Sequence, residues 1–359
     1  MPRPAFLITV DTEGDDQWQP ARVITTRNAA FLPRFQRLCE RFGFKPVYLT
    51  NYEMVQSPNF VEFARDVLMR DAGEVGMHLH AWSSPPLHPL TRDDFGLHPY
   101  LVEYPDRLMR AKLERLTAEL EECFGCKMVS HRAGRWGFDA RYAAMLGELG
   151  YLVDCSVTPG LSWSANPGAP SGRGGTDYSN FPHRPYFMNA QRIAEPAADG
   201  LLEVPMTVKA NALYRQVPSI YRTRVVRRFA NRIAPGQTWL CPVQTTLRAS
   251  LRRHLAAMLA TARAVRGGGA VHLEFMIHSS ELMPGGSPIF RTQPDIEMLY
   301  DYLERLFEDV YEWCDGMTLA EFYETFASGT AHATLGQDAP HPERGESMPH
   351  RGPGSAPAY

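Results

Sequence analysis

The chain has 359 residues, of which 44% are hydrophobic and 21% are charged, as in ordinary soluble globular proteins. Its formal net charge of −3 argues against a nucleic-acid partner, because domains that bind nucleic acids are usually strongly basic. No apolar run reaches the roughly 18 residues of a membrane span, and the N-terminus lacks the pattern of a secretory signal. The six cysteines are scattered, which predicts reduced thiols and a cytoplasmic location.

The first part of the chain alternates short apolar runs with amphipathic helical patterns. The run AFLITVD at 5–11 is rich in β-branched residues, which predicts a buried strand. Pro58 follows Ser57 in the order typical of a helix start, and Gly125 follows a helical pattern in the order typical of a helix end. We predict strands at 5–11, 46–50, 74–80, 128–132 and 151–157, and helices at 28–42, after Ser57, at about 106–124 and at 139–149.

The same alternation returns near the end of the chain. We predict a helix at 247–265, a strand at 270–278, a helix at 295–314 and a last helix whose capping box is Thr318 and Glu321. Residues 158–240 interrupt the rhythm and are predicted to form an irregular insertion or lid. We expect one domain over 1–328 and a disordered tail at 329–359, where Pro, Gly and His are frequent without periodicity.

Strands that alternate with helices predict parallel βαβ units. About seven such units favour a barrel-like closure over an open sheet. In α/β barrels the chemistry takes place where the strands end and the following loops begin. The residues at the predicted carboxyl ends of the strands therefore carry the functional prediction.

Polar side chains follow most of these strands. His78, His80 and Trp82 share one face of an extended strand, so the two imidazoles can bind one metal or lie in a polar patch. Each polar residue taken alone is often a helix cap, a loop contact or a core residue, but together they match the needs of a metal-assisted hydrolase. The polar residues at strand ends other than His78 and His80 are Asp11, Glu13 and Asp15 after the first strand, His131, Arg132, Arg135 and Trp136 after the fourth, Asp154 on the fifth and His278 on the last.

The chain resembles the NodB-type polysaccharide deacetylases, in particular the WalW-like branch linked to lipopolysaccharide and surface-polysaccharide biosynthesis. Five segments carry the resemblance, in the order of that family. They are TVDTEGD (9–15), EVGMHLHAW (74–82), HRAGRWG (131–137), VDCSVTP (153–159) and FMIHSSE (275–281).

The resemblance implies a distorted (β/α) barrel that uses a divalent metal to remove the acetyl group of an N-acetylated sugar. By that similarity Asp11 is the general base and Glu13 is the carboxylate ligand. His78 is the first histidine ligand, Arg132 holds the base in place, and His278 is the general acid. The metal expected is Zn²⁺, although Co²⁺, Ni²⁺ and Mn²⁺ also suit such ligands.

The sequence departs from the family pattern at two ligand positions. The family spaces its metal histidines four apart, which here places Trp82 in the second position. We therefore expect His80 as the substitute ligand, with His88 as the alternative if its loop folds back. Adjacent aspartates are replaced by Asp-Thr-Glu, so Asp15 is the alternative to Glu13.

Other residues indicate how a glycan is bound. We expect Trp82, Trp136 and Trp163 to stack on sugar faces and assign Asp154 to substrate binding. The basic amphipathic stretch at 221–233 is either a solvated face or a contact with anionic lipid head groups at the inner face of the membrane. It can also meet the diphosphate of a lipid- or nucleotide-linked sugar.

Three functions remain open from the sequence. The first is a cytoplasmic sugar N-deacetylase that acts on a surface-polysaccharide or lipopolysaccharide precursor. The second is a carbohydrate-binding protein that kept the barrel after its site decayed, as the missing histidine spacing indicates. The third is a barrel glycosidase that uses Asp11 and Glu13 with another carboxylate.

Overall fold

A computed structural model provides the structure of the chain. It describes residues 3–15, 17, 23–164, 174–210, 237–242, 251–266 and 269–337. The predicted basic stretch at 221–233 lies outside these residues. The chain divides into a compact unit that ends at Tyr323 and a short unit that begins at Glu324.

The described residues contain eight parallel strands of one sheet. Seven of them follow the order β11-β1-β2-β3-β4-β5-β8, and the eighth, β12, pairs with β1. β8 continues through the antiparallel strands β6 and β7. The curved sheet with its flanking helices is a distorted α/β barrel, so the predicted fold class is confirmed. The strands are β1 Ala5–Thr12, β2 Val47–Thr50, β3 Glu74–Leu79, β4 Ser130–Ala133, β5 Val153–Asp154, β6 Tyr186–Met188, β7 Pro196–Ala197, β8 Leu202–Glu203, β9 Val208–Ala210, β10 Gln237–Trp239, β11 His272–His278 and β12 Asp315–Met317.

The helices begin and end at the signals present in the sequence. Pro58 occupies the first turn of α3, Gly125 ends α5 with a φ of 68°, and the side chain of Asp139 caps α6 by accepting from the Tyr142 amide. The helices are α1 Leu32–Arg41, α2 Tyr52–Val55, α3 Pro58–Met69, α4 Asp94–Leu97, α5 Asp106–Phe124, α6 Ala140–Glu148, α7 Leu251–Arg266, α8 Gln293–Tyr311 and α9 Leu319–Gln337. None of them combines the length and the apolarity that crossing a membrane requires.

Helices cover the sheet through aromatic side chains. Phe6 of β1 packs edge-on against Phe44 and against Phe307 of α8, with ring centroids 4.9 and 5.8 Å apart. Every residue of β1, β3 and β11 is buried, as expected for parallel strands covered on both faces. This packing fixes the strands rigidly and so fixes the side chains at their carboxyl ends.

The register of the strands decides which polar residues meet. Asp11 pairs with His278 between β1 and β11, and His78 pairs with Arg132 between β3 and β4. These pairs join segments far apart in sequence at the same end of the sheet. The parallel register therefore brings together the residues that sequence analysis placed at strand ends.

Between β8 and β11 the sheet has no regular ladder of strand pairs, and single hydrogen bonds through Thr207 and Leu240 connect this region to β11. Leu240 donates its amide to the Thr207 carbonyl (3.2 Å), and the Met276 amide donates to the Leu240 carbonyl (2.9 Å). The Glu274 amide donates to the hydroxyl of Thr207 (2.9 Å). The insertion predicted at 158–240 thus supplies β6 to β10 and part of the barrel wall.

Two predicted boundaries differ from the structure. The strand predicted at 151–157 is reduced to β5, because Val157 donates its amide to the Glu203 side chain (2.9 Å) instead of continuing the ladder. The last helix, α9, continues to Gln337 and so extends into the segment predicted as a tail. Residues 338–359 lie outside the described part of the chain.

Candidate active site

A cavity of about 180 Å³ opens at the carboxyl ends of β1, β3 and β11. It brings together most of the residues that the sequence singled out. The cavity is lined by Asp11, Glu13, Gln17, His78, His80, Arg135, Trp136 and His278.

Glu13, His78 and His80 form a cluster in which one ligand atom of each lies within 4.8 Å of the other two. The Nε2 of His80 is 2.7 Å from the Oε2 of Glu13, and the Nε2 of His78 is 3.7 Å from the same oxygen. All three side chains are buried. Two imidazoles and one carboxylate form the donor set of many catalytic zinc sites, so these residues fit a divalent cation.

Hydrogen bonds outside the cluster orient its ligands. The Nδ1 of His78 donates to the carbonyl oxygen of Arg132 (3.0 Å), which leaves the Nε2 of that ring facing the two carboxylates. Metal-bound histidines almost always donate their other ring nitrogen in this way. Burial raises the pKa of the Glu13 carboxylate, but the hydrogen bond from His80 and the charge of His278 help to outweigh it, and the pKa is lowered.

The two open alternatives for the metal ligands lie elsewhere. The carboxylate of Asp15 accepts from the Thr25 hydroxyl (2.7 Å), the Arg27 amide (3.1 Å) and the Asn28 amide (2.9 Å), so it caps a turn outside the cavity. His88 is exposed on its loop. Within the described residues, the geometry therefore favours Glu13 and His80.

Asp11 lies beside the cluster and is held by a buried arginine. The Nη1 of Arg132 donates to the Oδ1 of Asp11 (2.7 Å), and its Nη2 donates to Glu274 and to the hydroxyl of Thr9 (2.9 Å). Burial alone raises the pKa of Asp11, but the charge of Arg132 and that of His78 outweigh it, and the pKa is lowered. Asp11 is therefore an ionised carboxylate with one oxygen fixed and the other, Oδ2, facing His78.

His278 lies on the opposite side of Asp11 from the cluster. Its Nε2 is 4.0 Å from the Oδ2 of Asp11, and its Nδ1 donates to the Oε2 of Glu281 (3.0 Å). Burial lowers the pKa of His278, but the hydrogen bond to Glu281 and the charges of Glu13 and Asp11 raise it to about 9. The ring is thus a protonated acid at neutral pH.

This protonation predicts a pH dependence of stability in the metal-free protein. The pKa of His278 lies near 9 in the folded state and near 6.5 when unfolded. Its stabilising contribution is therefore complete below pH 6.5 and is lost as the pH rises through 9. In urea unfolding, the free energy of unfolding of the wild type should fall as the pH rises from 6.5 through 9. The fall should be smaller in His278→Gln. An equal fall in both proteins would contradict the prediction.

A tight turn after β4 presents Arg135 and Trp136 to the cavity. Both residues have left-handed backbones, with φ values of 53° and 54°, which non-glycine residues rarely adopt. A Cβ atom on the preceding Gly134 would overlap the Leu79 carbonyl and lie 2.8 Å from the His80 ring. The turn therefore packs directly on the end of β3, beside the Glu13, His78 and His80 cluster.

The three predicted tryptophans occupy different places. Trp136 lines the cavity and stacks on Trp163, with centroids 4.9 Å apart and rings within 10° of parallel. Trp163 donates its indole N–H to the Thr158 hydroxyl (2.9 Å). Trp82 packs against His80, and the Arg135 guanidinium lies 4.7 Å from its ring centroid. Trp136 is thus the tryptophan placed to meet a ligand in the cavity.

The structure does not bring Asp154 to the cavity, so the expected substrate contact is not formed there. Asp154 is fully buried and accepts from the Nδ1 of His131 (2.6 Å) and from the Ser156 hydroxyl (2.9 Å). The other nitrogen of His131 bonds the Tyr142 hydroxyl (2.8 Å). Asp154 and His131 pair across β4 and β5 in a polar network inside the protein.

Sequence analysis missed Glu274 and Glu281, the partners of Arg132 and His278. Glu274 had a detectable signal, because a lone acidic residue within the apolar strand HLEFMIH requires a buried partner. Glu281 had no comparable signal, since an acidic residue after a strand is commonly a turn residue. Arg135 was noticed at a strand end but was not assigned to the site.

Comparisons with known proteins find matches among solved structures. No family model matches this chain, and no curated protein matches it. A "putative glycoside hydrolase/deacetylase" from Parabacteroides distasonis has a TM-score of 0.54 at 10% identity, over 91% of this chain and 72% of that chain. The 4-alpha-glucanotransferase from Thermococcus litoralis has a TM-score of 0.50 at 13% identity, over 90% of this chain and 40% of that chain.

A third structure is similar along its whole length. A "putative polysaccharide deacetylase" from Mycobacterium smegmatis has a TM-score of 0.49 at 15% identity, over 98% of this chain and 97% of that chain. At such low identities the likeness is one of fold. The first two structures support the distorted α/β barrel described above.

Proposed function

We propose that this protein is a metal-dependent deacetylase that hydrolyses the acetamido group of an N-acetylated sugar. One observation carries the proposal. The Glu13, His78 and His80 cluster shares one small cavity with Asp11, which Arg132 holds, and with the protonated His278. Amide hydrolysis needs a base for the attacking water and an acid for the leaving amine. Asp11 and His278 have opposite charges and face each other here.

In this mechanism Glu13, His78 and His80 hold a divalent cation. When bound, such a cation polarises the acetyl carbonyl and makes the attacking water more acidic. Asp11 accepts the proton of that water through its Oδ2, while Arg132 holds the other oxygen and keeps the carboxylate ionised. His278 donates the proton on its Nε2 to the amine as the carbon–nitrogen bond breaks.

The size of the cavity supports a small reacting group. Pockets for drug-sized ligands usually measure about 300–1,000 Å³, whereas this one measures about 180 Å³. It suits an acetamido group whose sugar continues outward past Trp136. Arg135 adds a cation at the cavity wall, which can bind an anionic substituent of the glycan.

The names of two similar structures agree with carbohydrate chemistry, since one is a "putative glycoside hydrolase/deacetylase" and the other a 4-alpha-glucanotransferase. We further propose a surface-polysaccharide or lipopolysaccharide precursor as substrate, linked to a lipid or a nucleotide. The WalW-like motifs quoted above are the support for this choice. A cytoplasmic site of action follows from the same proposal.

A glycosidase is the less favoured alternative. Glycoside hydrolysis needs one carboxylic acid that stays protonated until it meets the leaving group. The pKa values of both Asp11 and Glu13 are lowered, despite desolvation, by their positively charged and hydrogen-bonding neighbours. Neither residue is therefore suited to act as that acid.

Acetate release from an N-acetylated oligosaccharide, with Zn²⁺, Co²⁺ or Ni²⁺ supplied, tests the proposal. Acetate formation that requires both the metal and Asp11 supports it. New reducing ends without acetate would instead identify a glycosidase. Saturable glycan binding without bound metal or turnover would identify a decayed binding protein.

We expect His78→Ala to lower metal affinity by about 100-fold or more, since changes outside the ligand shell already cost about 10–100-fold. Metal bound per chain after dialysis, measured by elemental analysis, checks this result. His88→Ala is the matched control, because it removes an exposed imidazole. Equal metal content in the two variants would rule out the Glu13, His78 and His80 cluster as the cation site.

We expect Trp136→Ala to raise the KM for the glycan about 10-fold. An indole face that covers about 50 Å² of sugar contributes about 1.3 kcal/mol, close to a factor of ten in binding. Trp163→Ala is the matched control, because Trp163 stacks behind Trp136. Initial rates over a range of glycan concentrations give the KM of each variant. A larger KM effect at Trp163 than at Trp136 would contradict this assignment.

A further inference from the structure

A second group of metal-ligand side chains lies next to the proposed acid. One ligand atom each from Cys241, His278 and Glu281 lies within 4.8 Å of the other two, and all three residues are buried. The Nδ1 of His278 is already 3.0 Å from the Oε2 of Glu281. Because the two ring nitrogens of an imidazole point in different directions, this nitrogen is separate from the Nε2 that faces Asp11.

Glu281 also carries an unused ligand atom. Its Oε2 accepts from the amide and the ring of His278, whereas its Oε1 is buried without a hydrogen-bond partner among the described residues. The Glu281 side chain is fully buried. A buried carboxylate oxygen without a donor is costly, so this atom indicates a ligand.

We propose that Cys241, His278 and Glu281 form a second, inhibitory site for Zn²⁺. Thiolate, imidazole and carboxylate are the three ligand types that zinc uses in proteins. Ligand atoms around a tetrahedral zinc are about 3.5 Å apart, so atoms that lie within 4.8 Å of one another reach that geometry with shifts of about 1 Å or less. The thiolate and the carboxylate together balance the charge of the ion.

Binding at this site changes the chemistry of His278. The ion replaces the proton on Nδ1 and the thiol proton of Cys241, and both protons pass to solvent. The imidazole then keeps one proton, on Nε2, and becomes a neutral and very weak acid. The loss of turnover rests on the proposed function, whereas the binding of the ion does not.

Cobalt spectroscopy tests the site independently of activity. We expect protein that already holds one equivalent of Co²⁺ to bind a second equivalent with a near-ultraviolet thiolate-to-cobalt charge-transfer band. Cys241→Ser should lose the band, as should Cys241→Ala if serine prevents folding in this apolar surrounding. Cys126→Ser is the matched control, because it removes an exposed thiol and should keep the band. No band in the wild type, or a band that survives in both Cys241 variants, would overturn the site.

Zinc inhibition tests the consequence. We expect excess Zn²⁺ to lower the kcat for acetate release by about 100-fold or more in the wild type, the contribution of a positioned acid. Cys241→Ser with one equivalent of Zn²⁺ should turn over as the wild type does and should resist the excess. A cobalt band without zinc inhibition would overturn the inhibitory role. If no metal state releases acetate, the proposed function fails, and the cobalt band still decides the site.

Discussion

Asp11→Asn is expected to lower kcat for acetate release by about 1,000-fold while leaving the metal content unchanged. An amide has no basic oxygen for the proton of the attacking water, and a positioned base contributes about 10²- to 10⁴-fold. The substitution keeps the shape of the side chain and its acceptor for the Arg132 guanidinium, which is 2.7 Å from the native Oδ1. Rates measured with saturating glycan, together with elemental analysis, check both halves of the prediction.

Asp15→Asn is the matched control for this variant. It removes a carboxylate two residues after Glu13 that caps a turn and does not line the cavity. We expect a loss of stability with kcat within about threefold of the wild type, as for changes away from the reacting groups. If Asp11→Asn kept wild-type turnover, or if both variants lost it equally, Asp11 would not be the base.

Arg132→Met is expected to lower the free energy of unfolding by about 3–5 kcal/mol, because it leaves two buried carboxylates without their cation. Arg132 is completely buried and bonds both Asp11 and Glu274. The loss should be largest at neutral and higher pH. The pKa of Glu274 is raised to about 7 by burial even with Arg132 present, and it should rise further without that charge. Urea unfolding at several pH values measures the effect.

A double variant shows how much of the stability lost in Arg132→Met comes from uncompensated buried charge and how much from the change of side chain. Glu274→Gln added to Arg132→Met removes one of the two uncompensated charges, so it should recover part of the lost stability. It should not recover turnover, because the amide leaves Asp11 without its guanidinium partner. Recovery of turnover in the double variant would show that Arg132 acts through Glu274 instead of through Asp11.

Most of the fold could be predicted because its signals are local. Apolar runs such as 5–11, and the apolar face of a helix such as α5, indicate directly which residues are buried. Pro58 and Gly125 indicate where helices begin and end. The closure of the barrel had no local signal. It depends on single hydrogen bonds that join β11 to the Thr207 side chain and to the Leu240 backbone, and those residues follow no strand pattern.

The sequence predicted those residues of the site that lie at the ends of strands. Asp11, His78 and His278 meet because the parallel register aligns the last residues of their strands. The choice of Glu13 over Asp15 depends instead on a turn, whose amides bind the Asp15 carboxylate. Asp154 lies away from the cavity because it pairs with His131 inside the protein, and nothing in the sequence marks that partner.

The pairing of β1 with β11 also has a consequence for biosynthesis. The amide of Glu13 donates to the hydroxyl of Ser279, 266 positions later, and Asp11 lies beside His278 in the same ladder. Contacts of such high contact order form late, since a long loop must close before they are made. A ribosome-bound chain that has not yet exposed β11 therefore lacks His278, and in the proposed mechanism it stays inactive until β11 emerges and pairs with β1.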